Sequence, residues 1–370
     1  MIGAGQEKEA SDPDQKDGPL VSVIVVLYNA LPYLSKFVAA LANQTYRNLE
    51  IIAVDNASSD GSAAFIARVI PGATVIRLPA NRGFADGNNA ALPSCHGMYL
   101  ALLNPDTEPE PTWLATLVAA LEADPAIGLA TSKIILTNDR TRINTCGNAV
   151  HIAGFATCRG LNAPATQYTE PEDVAAVSGA AFIIRRALME RLGGFDASFF
   201  MYVEDTDLSW RAILLGARCR IVPASVVAHR YALTLDAEKT FYLERNRMQM
   251  LLKCYRARTL LLLAPALLLG EVAAWGYAAL QGPAHLRAKA NAARWVFHHR
   301  RDIRERRRTV QASRVVGDCA LLSLATSQLP IALLQSGRGA RIATVCAALP
   351  FMLSRHAVLA LERPSPAHSR

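Results

Sequence analysis

Between residues 21 and 123 the apolar positions follow two alternating periods. Val21-Ser-Val-Ile-Val-Val-Leu27, Leu49-Glu-Ile-Ile-Ala-Val54, Ala73-Thr-Val-Ile-Arg-Leu78 and Tyr99-Leu-Ala-Leu-Leu103 are short β-branched or apolar runs, each long enough for one buried strand. Residues 33–43, 62–69 and 83–94 between them carry helical spacing, and residues 111–123 follow as a clear helix. This alternation predicts βαβ units and an α/β fold built on a mostly parallel sheet flanked by helices. Ligands of such sheets sit beyond the carboxyl ends of the strands. Each predicted strand leads into polar residues there: Tyr28-Asn29, Asp55-Asn56, Asn81-Arg82-Gly83 and Asn104-Pro105-Asp106.

From about residue 128 to 175 the pattern weakens into short strands and loops. Beyond it, 177–185 reads as a strand, 193–200 as a loop, 205–215 as a helix, 219–222 as a short strand and 238–255 as a long helix. The last third is different. Residues 259–280 hold a single charge, Glu271, but Pro265 and basic flanks (Arg256, Arg258, Arg287, Lys289) do not favour a clean membrane span. Two further apolar stretches follow, 319–334 and 342–361. A helical packing domain and a monotopic membrane-docking region both fit this pattern. The organisation expected is a disordered lead-in over 1–19, an α/β domain over 20–255, and a helical, apolar and basic region over 256–370.

Composition narrows the class. Of 370 residues, 51% are hydrophobic and 19% charged, which excludes a wholly disordered, collagenous or rod-like chain. The seven cysteines are scattered and form no C-x-x-C pair, so a disulfide framework or a zinc–cysteine site is not expected and a reducing compartment fits. The first 19 residues have no apolar core and do not read as a secretory signal. The net charge of +8 is local: residues 284–314 hold ten Lys/Arg and two acids, and the rest of the chain sums to zero. Such a run serves as a solvated face or as a contact for anionic lipid or an anionic substrate. No helix-turn-helix, RRM or zinc-finger pattern accompanies it, which argues against nucleic acid.

Six motifs occur in order: Val-Ile-Val-Val-Leu-Tyr-Asn29, Val-Asp-Asn-Ala-Ser-Ser-Asp-Gly61, Asn-Arg-Gly-Phe-Ala-Asp-Gly-Asn-Asn89, Leu-Leu-Asn-Pro-Asp106, Gly-Ala-Ala-Phe182 with Arg185-Arg186, and Gly-Gly-Phe-Asp196 leading to Glu-Asp-Thr-Asp207. Together they resemble glycosyltransferase family 2, of GT-A fold, and in particular its bacterial rhamnosyltransferase-like members, over roughly residues 20–255. The resemblance implies single-sugar transfer from a nucleoside-diphosphate sugar with inversion, usually with Mg²⁺ or Mn²⁺. It implies dTDP-rhamnose as a candidate donor. The processive Q-x-x-R-W signature is missing.

The resemblance also assigns roles. Tyr28, Asn29, Asp55 and Asn56 would face the nucleotide, Asp55 accepting a pyrimidine imide N–H and Asn56 a ribose hydroxyl; turn formation explains the same residues. Asn81, Arg82 and Gly83 would approach ribose or diphosphate at a helix start. Asn104 and Asp106 occupy the place of the family's D-x-D. Asp106 would hold the metal, completed by His229, and the neutral Asn104 departs from the two-carboxylate form. A turn at Asn104 and a structural His229 are the alternatives. Gly179 and Ala180 would bring bare backbone to the donor sugar. Asp205 would be the general base, kept ionised by the helix dipole, with Glu204 positioning the acceptor; capping explains acids at a helix start as well. Arg245 or Arg247 is a candidate to swing onto the diphosphate or else forms a salt-bridged face. The apolar, basic C-terminal third points to a glycan or lipid-linked acceptor at an anionic membrane surface, with the protein cytoplasmic and peripheral on the inner face. The other classes weighed are a sugar-nucleotide nucleotidyltransferase and a catalytically silent nucleotide-sugar-binding protein on the same fold.

Overall fold

The structure, a computed structural model, describes residues 18–231, 234–329 and 338–362, with side chains omitted at 338–347 and 362. Most of the expected lead-in, residues 1–17, lies outside the described residues, as do 330–334 of the second apolar stretch.

The first half of the chain builds the expected units. Strands β1 (Val21–Leu27), β2 (Leu49–Asp55), β3 (Thr74–Arg77) and β4 (Tyr99–Leu103) alternate with helices α1 (Leu31–Ala42), α2 (Ser62–Val69) and α3 (Gly83–Ala91). They lie side by side in the order β4-β1-β2-β3, all parallel. β1 is apolar except at Ser22 because both faces are covered. Val21, Val23, Val25 and Leu27 join a core under α1 and α4 (Trp113–Ala123), while Ile24 joins the core on the other face.

Beyond β4 the sheet is mixed. β5 (Thr107–Pro109), β6 (Ile127–Leu136), β7 (Ile143–Thr145), β10 (Glu172–Asp173), β11 (Ala181–Arg185) and β12 (Arg218–His229) complete ten strands, and β11 runs antiparallel to both β4 and β6. The expected parallel pairing is found among β1–β4 and again between β6 and β12, while β5, β7, β10 and β11 pair antiparallel. β11 is reached through an excursion, including the hairpin β8 (Asn148–Val150) and β9 (Ala156–Cys158), rather than a helical crossover, and an antiparallel partner needs no crossover. β6, expected only as part of a weak region, is fully buried; Gly128, Ser132 and Lys133 interrupt its apolar pattern. β12 is longer than the expected 219–222 and carries His229 at its end, past a register shift between Val222 and Val226.

The opposite face is closed by α5 (Arg186–Leu192), α6 (Glu204–Leu214) and α7 (Ala237–Cys254), then by α8 (Ala257–Leu262), α9 (Ala264–Gln281), α10 (Pro283–His298), α11 (Arg300–Ser313), α12 (Cys319–Leu324) and α13 (Arg338–Glu362). The apolar stretch 259–280 is two helices, since Pro265 sits in the first turn of α9 and starts a new one. Leu263, Ala266, Val310, Leu321 and Phe351 share one buried core with Ile24, Phe182 and Trp210, so the C-terminal helices pack onto the sheet domain.

Candidate active site

Parallel pairing sets the carboxyl edge of the sheet. Leu27 is level with Asp55, and Asp55 with Arg77, so the loops after β1, β2 and β3 emerge together. They are stitched to one another. Asn29, at φ 50°, accepts from the Ser59 N–H at 2.9 Å, and the Asp60 carboxylate accepts from Leu31 N–H at 2.8 Å. Tyr28 is exposed beside them. Asp55 is buried and its Oδ1 accepts from Ser58 N–H at 3.0 Å. Asn56 is buried and knits the next loop: its Nδ2 donates to Asn81 Oδ1 and the Gly83 carbonyl, both at 2.9 Å, and its Oδ1 accepts from Arg82 N–H at 2.8 Å. With both N–H groups engaged, Asn56 is a strut of this loop. Arg82 is paired with Asp86 on the surface at 2.6 Å. Gly83 has φ +79°, and a Cβ there would lie 2.4 Å from the Phe200 carbonyl oxygen. Its close approach is thus to residue 200, and the N–H groups at the start of α3 are engaged too: Gly83 N donates to Asn81 Oδ1 and Ala85 N to the Phe200 carbonyl.

A second group of the expected residues lines one cavity of about 600 Å³: Asn104, Gly179, Ala180, Glu204, Asp205 and His229. Asp55 and Asp106 are not among its lining residues, so the three carboxylates Asp55, Asp106 and Asp205 do not share a single cavity. Phe84, next to Gly83, connects the two groups by lining the cavity as well.

Glu204 and Asp205 open α6 after a loop in which Phe200, Tyr202 and Val203 all have positive φ, at 62°, 66° and 67°. Such conformations cost energy in non-glycine residues and persist only where surroundings fix them. α7 supplies the fixing. Asn246 Nδ2 reaches the carbonyls of Phe199, Met201 and Tyr202 at 2.7–2.9 Å, and Arg245 donates to the carbonyls of Ser198 and Phe199. Tyr242 stacks on Phe200 at 5.3 Å. Arg245 is thus committed to the loop, and Arg247 to Glu244, Glu271 and the Ala153 carbonyl; neither is free to swing onto a diphosphate.

The loop delivers Asp205 into four hydrogen bonds. Oδ2 accepts from Gly179 N–H at 2.8 Å and Asn148 Nδ2 at 2.9 Å; Oδ1 accepts from Thr206 N–H at 2.6 Å and the Thr206 hydroxyl at 3.1 Å. Burial raises the Asp205 pKa, and these bonds pull against it. Glu204 is buried with Oε2 lacking a partner among the described residues, and burial together with Asp205 pushes its pKa well above the carboxylate range. The expectation that the helix dipole alone sets the charge of this pair is therefore revised: desolvation dominates. Lys239 also lines the cavity, its ammonium 4.9 Å from the Tyr202 ring centroid.

Asp106 and His229 are brought together by strand pairing. β5 lies antiparallel to β12 with Thr107 opposite His229, which leaves Asp106 Oδ1 3.5 Å from His229 Nε2. Asn144 Oδ1 lies 2.8 Å from His229 Nδ1. With the proton on Nδ1, the Nε2 lone pair faces Asp106. Asn104 forms the preceding turn, its carbonyl accepting from the Thr107 hydroxyl at 2.6 Å, and its N–H donates to the Ala180 carbonyl at 2.9 Å. One carboxylate and one imidazole fit a divalent ion that keeps positions for phosphate oxygens and water. Among the described residues no group of three His, Cys, Asp or Glu could hold a metal by itself.

Sequence reasoning missed Asn144, Asn148, Arg245 and Asn246 in these supporting roles. Asn144 and Asn148 lie in the weakly patterned stretch, and no local signal ties them to partners far along the chain.

Residues 22–193 match the model of Glycosyl transferase family 2. They form a family 2 glycosyltransferase domain. The chain is 26% identical over 236 residues to the N-acetylglucosaminyl-diphospho-decaprenol L-rhamnosyltransferase of Mycobacterium tuberculosis, covering 58% of this chain and 76% of that protein. It is 30% identical over 240 residues to the pre-mycofactocin glycosyltransferase of the same species, covering 63% of this chain and spanning 47% of that relative's length. S. aureus TarS 1–349, solved with UDP-GlcNAc, shares the fold at a TM-score of 0.54 over 93% of each chain, with 16% identity. This glycosyltransferase is an enzyme of α/β, GT-A-like architecture with a helical C-terminal region.

Proposed function

We propose that this glycosyltransferase transfers one sugar from a nucleoside-diphosphate sugar to a hydroxyl of a cell-envelope glycan or lipid-linked acceptor, by single displacement with inversion. The observation that carries the reading is the placement of Asp205 in the cavity that also holds Asn104, Gly179 and His229. The nucleotide belongs at the stitched loops holding Tyr28, Asn29, Asp55 and Arg82, and the donor sugar against Gly179 and Ala180. Asp106 and His229 Nε2 would hold Mg²⁺ or Mn²⁺. When bound, that ion neutralises charge on the departing nucleoside diphosphate. Asp205 takes the acceptor proton while the acceptor oxygen bonds to the anomeric carbon from the face opposite the breaking bond. The Thr206 hydroxyl, its longest contact, is the one that yields to the acceptor. dTDP-rhamnose is the donor to test first, given the rhamnosyltransferase likeness.

A second reading assigns the proton to Glu204, and its unpartnered Oε2 favours it. Comparing Asp205→Asn with Glu204→Gln separates the two. On the first reading Asp205→Asn keeps donor affinity and lowers kcat by about 10²–10⁴, the usual weight of a general base, while Glu204→Gln chiefly raises the acceptor KM. The reverse pattern reassigns the base.

The membrane belongs to the proposal too. Among the described residues no helix is long and apolar enough to cross a bilayer. α9 nevertheless turns Leu268, Val272, Trp275 and Leu280 outward, while Glu271 pairs with Arg247 and Lys289. Arg287, Arg294, Arg300, Arg301, Arg304 and Arg308 are exposed on α10 and α11. An apolar face beside arginines suits an anionic membrane surface, the cytoplasmic inner face in this reading.

A further inference from the structure

The cavity around Asp205 does not end at the catalytic residues. It continues to a wall made by Phe155, Leu161, Leu243, Ala274, Tyr277 and Leu329, and so draws on the hairpin β8–β9, α7 and α9. Glu244 and Arg247 of that wall are satisfied within it, whereas the lining cation Lys239 lies towards Tyr202 and outside this cluster. Arg247 binds Glu244, Glu271 and the Ala153 carbonyl and lies 4.4 Å from the Phe155 ring centroid; Lys289 closes the cluster onto Glu244 and Glu271. A sugar or a nucleotide needs unspent donors and acceptors, and this half of the cavity offers few. Ala273 both lines the cavity and is exposed, so the cavity reaches the surface on α9, beside the outward-facing Val272 and Trp275.

We infer that the apolar half of this cavity is a binding channel for the hydrocarbon chain of a lipid-borne acceptor, entered along α9 and leading the acceptor hydroxyl to Asp205. The inference rests on the glycosyl-transfer reading above and narrows its acceptor to one class. Two observations converge on it: the continuity of an apolar channel with Glu204 and Asp205, and the opening of that channel onto an apolar helix face. Ala274 lines the channel with a small side chain, whereas Gly276 of the same helix faces open space, with nothing within 4 Å of where its Cβ would be.

The test uses the full chain and butyl, hexyl and octyl β-D-glucosides as probes, each below its micellar concentration, titrated by calorimetry. Affinity is expected to rise with chain length, towards about fourfold per methylene for complete burial. Ala274→Trp should flatten that dependence, and Gly276→Trp, adding the same bulk outside, should leave it intact. A diazirine-bearing octyl glucoside should label Phe155, Leu243 or residues 273–277 of the unaltered protein, a readout that survives if Ala274→Trp fails to fold. Chain-length-independent binding, equal behaviour of the two variants, or labelling confined to Leu268 and Val272 overturns the channel. Titration of the same samples with UDP and dTDP in the presence of Mn²⁺ separates the two levels. Nucleotide binding without a chain-length effect overturns the channel alone, whereas no nucleotide binding overturns the glycosyl-transfer reading beneath it.

Discussion

At Asp205, burial and hydrogen bonding oppose each other. Burial raises the pKa of the carboxyl; the Gly179, Thr206 and Asn148 donors favour the charged form and bring it back towards the ordinary range. A base works only when deprotonated, so kcat/KM should fall on the acid side, with the limb above the ordinary aspartate value of about 3.9. Asn148→Ala removes one donor from Oδ2 and should move that limb to higher pH by on the order of one pH unit, as expected for a hydrogen bond to a charged group. A pH–rate profile identical to the unaltered enzyme would mean that Asp205 does not control the limb. The same logic applies to His229, where Asn144, 2.8 Å from Nδ1, fixes which ring nitrogen faces Asp106.

At the scale of elements, the loop that delivers Asp205 is held by a buried charge cluster. Lys253 of α7 pairs with Asp196 and, at 2.9 Å, with Asp207 of α6, and all three side chains are nearly inaccessible. Despite its burial, Asp196 is held well below the usual carboxylate range by Lys253 and Arg306. Its contribution to stability is therefore complete above the ordinary carboxylate pKa and is lost as pH falls through the acid range. Lys253→Met should cost about 3 kcal/mol at neutral pH, because two buried carboxylates lose the cation they share and are left with Arg306 and Arg211 alone. The penalty should shrink only below the ordinary carboxylate value of about 3.9, as Asp196 protonates; urea unfolding at pH 7 and at about pH 3 measures both. Elements were legible in the sequence where local pattern decides them. β1, β2 and β4 announce themselves because their apolar runs face two covered sides, and α4 because its buried residues recur at helical spacing. β6 did not, since a buried strand containing Gly128, Ser132 and Lys133 is indistinguishable from a loop until its neighbours are known. The acid pair at α6 was visible as a motif, but the α7 clamp was not: Asn246 reads as an ordinary polar helix position until the positive-φ loop it holds is seen.

At the scale of the whole molecule, the C-terminal helices are part of the enzyme's architecture. They share the core behind the sheet and complete the cavity wall through α9. Of the ten basic residues at 284–314, Lys289, Arg306, Arg307 and Arg314 turn inward to ion pairs or carbonyl groups, and the other six are exposed. The basic run in the sequence thus serves both packing and surface. Vesicles containing phosphatidylserine should sediment the protein at low salt and release it as salt rises, and Arg300→Glu with Arg304→Glu should weaken that binding severalfold. Equal binding to neutral vesicles would remove the electrostatic part of the account. The central claim is that Asp205 acts on an activated sugar held beside it, and product analysis reaches it most directly. Incubation of the unaltered enzyme and Asp205→Asn with a panel of nucleoside-diphosphate sugars, Mn²⁺ and octyl β-D-glucoside should give nucleoside diphosphate and a glycoside of inverted anomeric configuration from the unaltered enzyme, and almost none from the variant. Release of pyrophosphate, retention of configuration, or undiminished product from Asp205→Asn would contradict it.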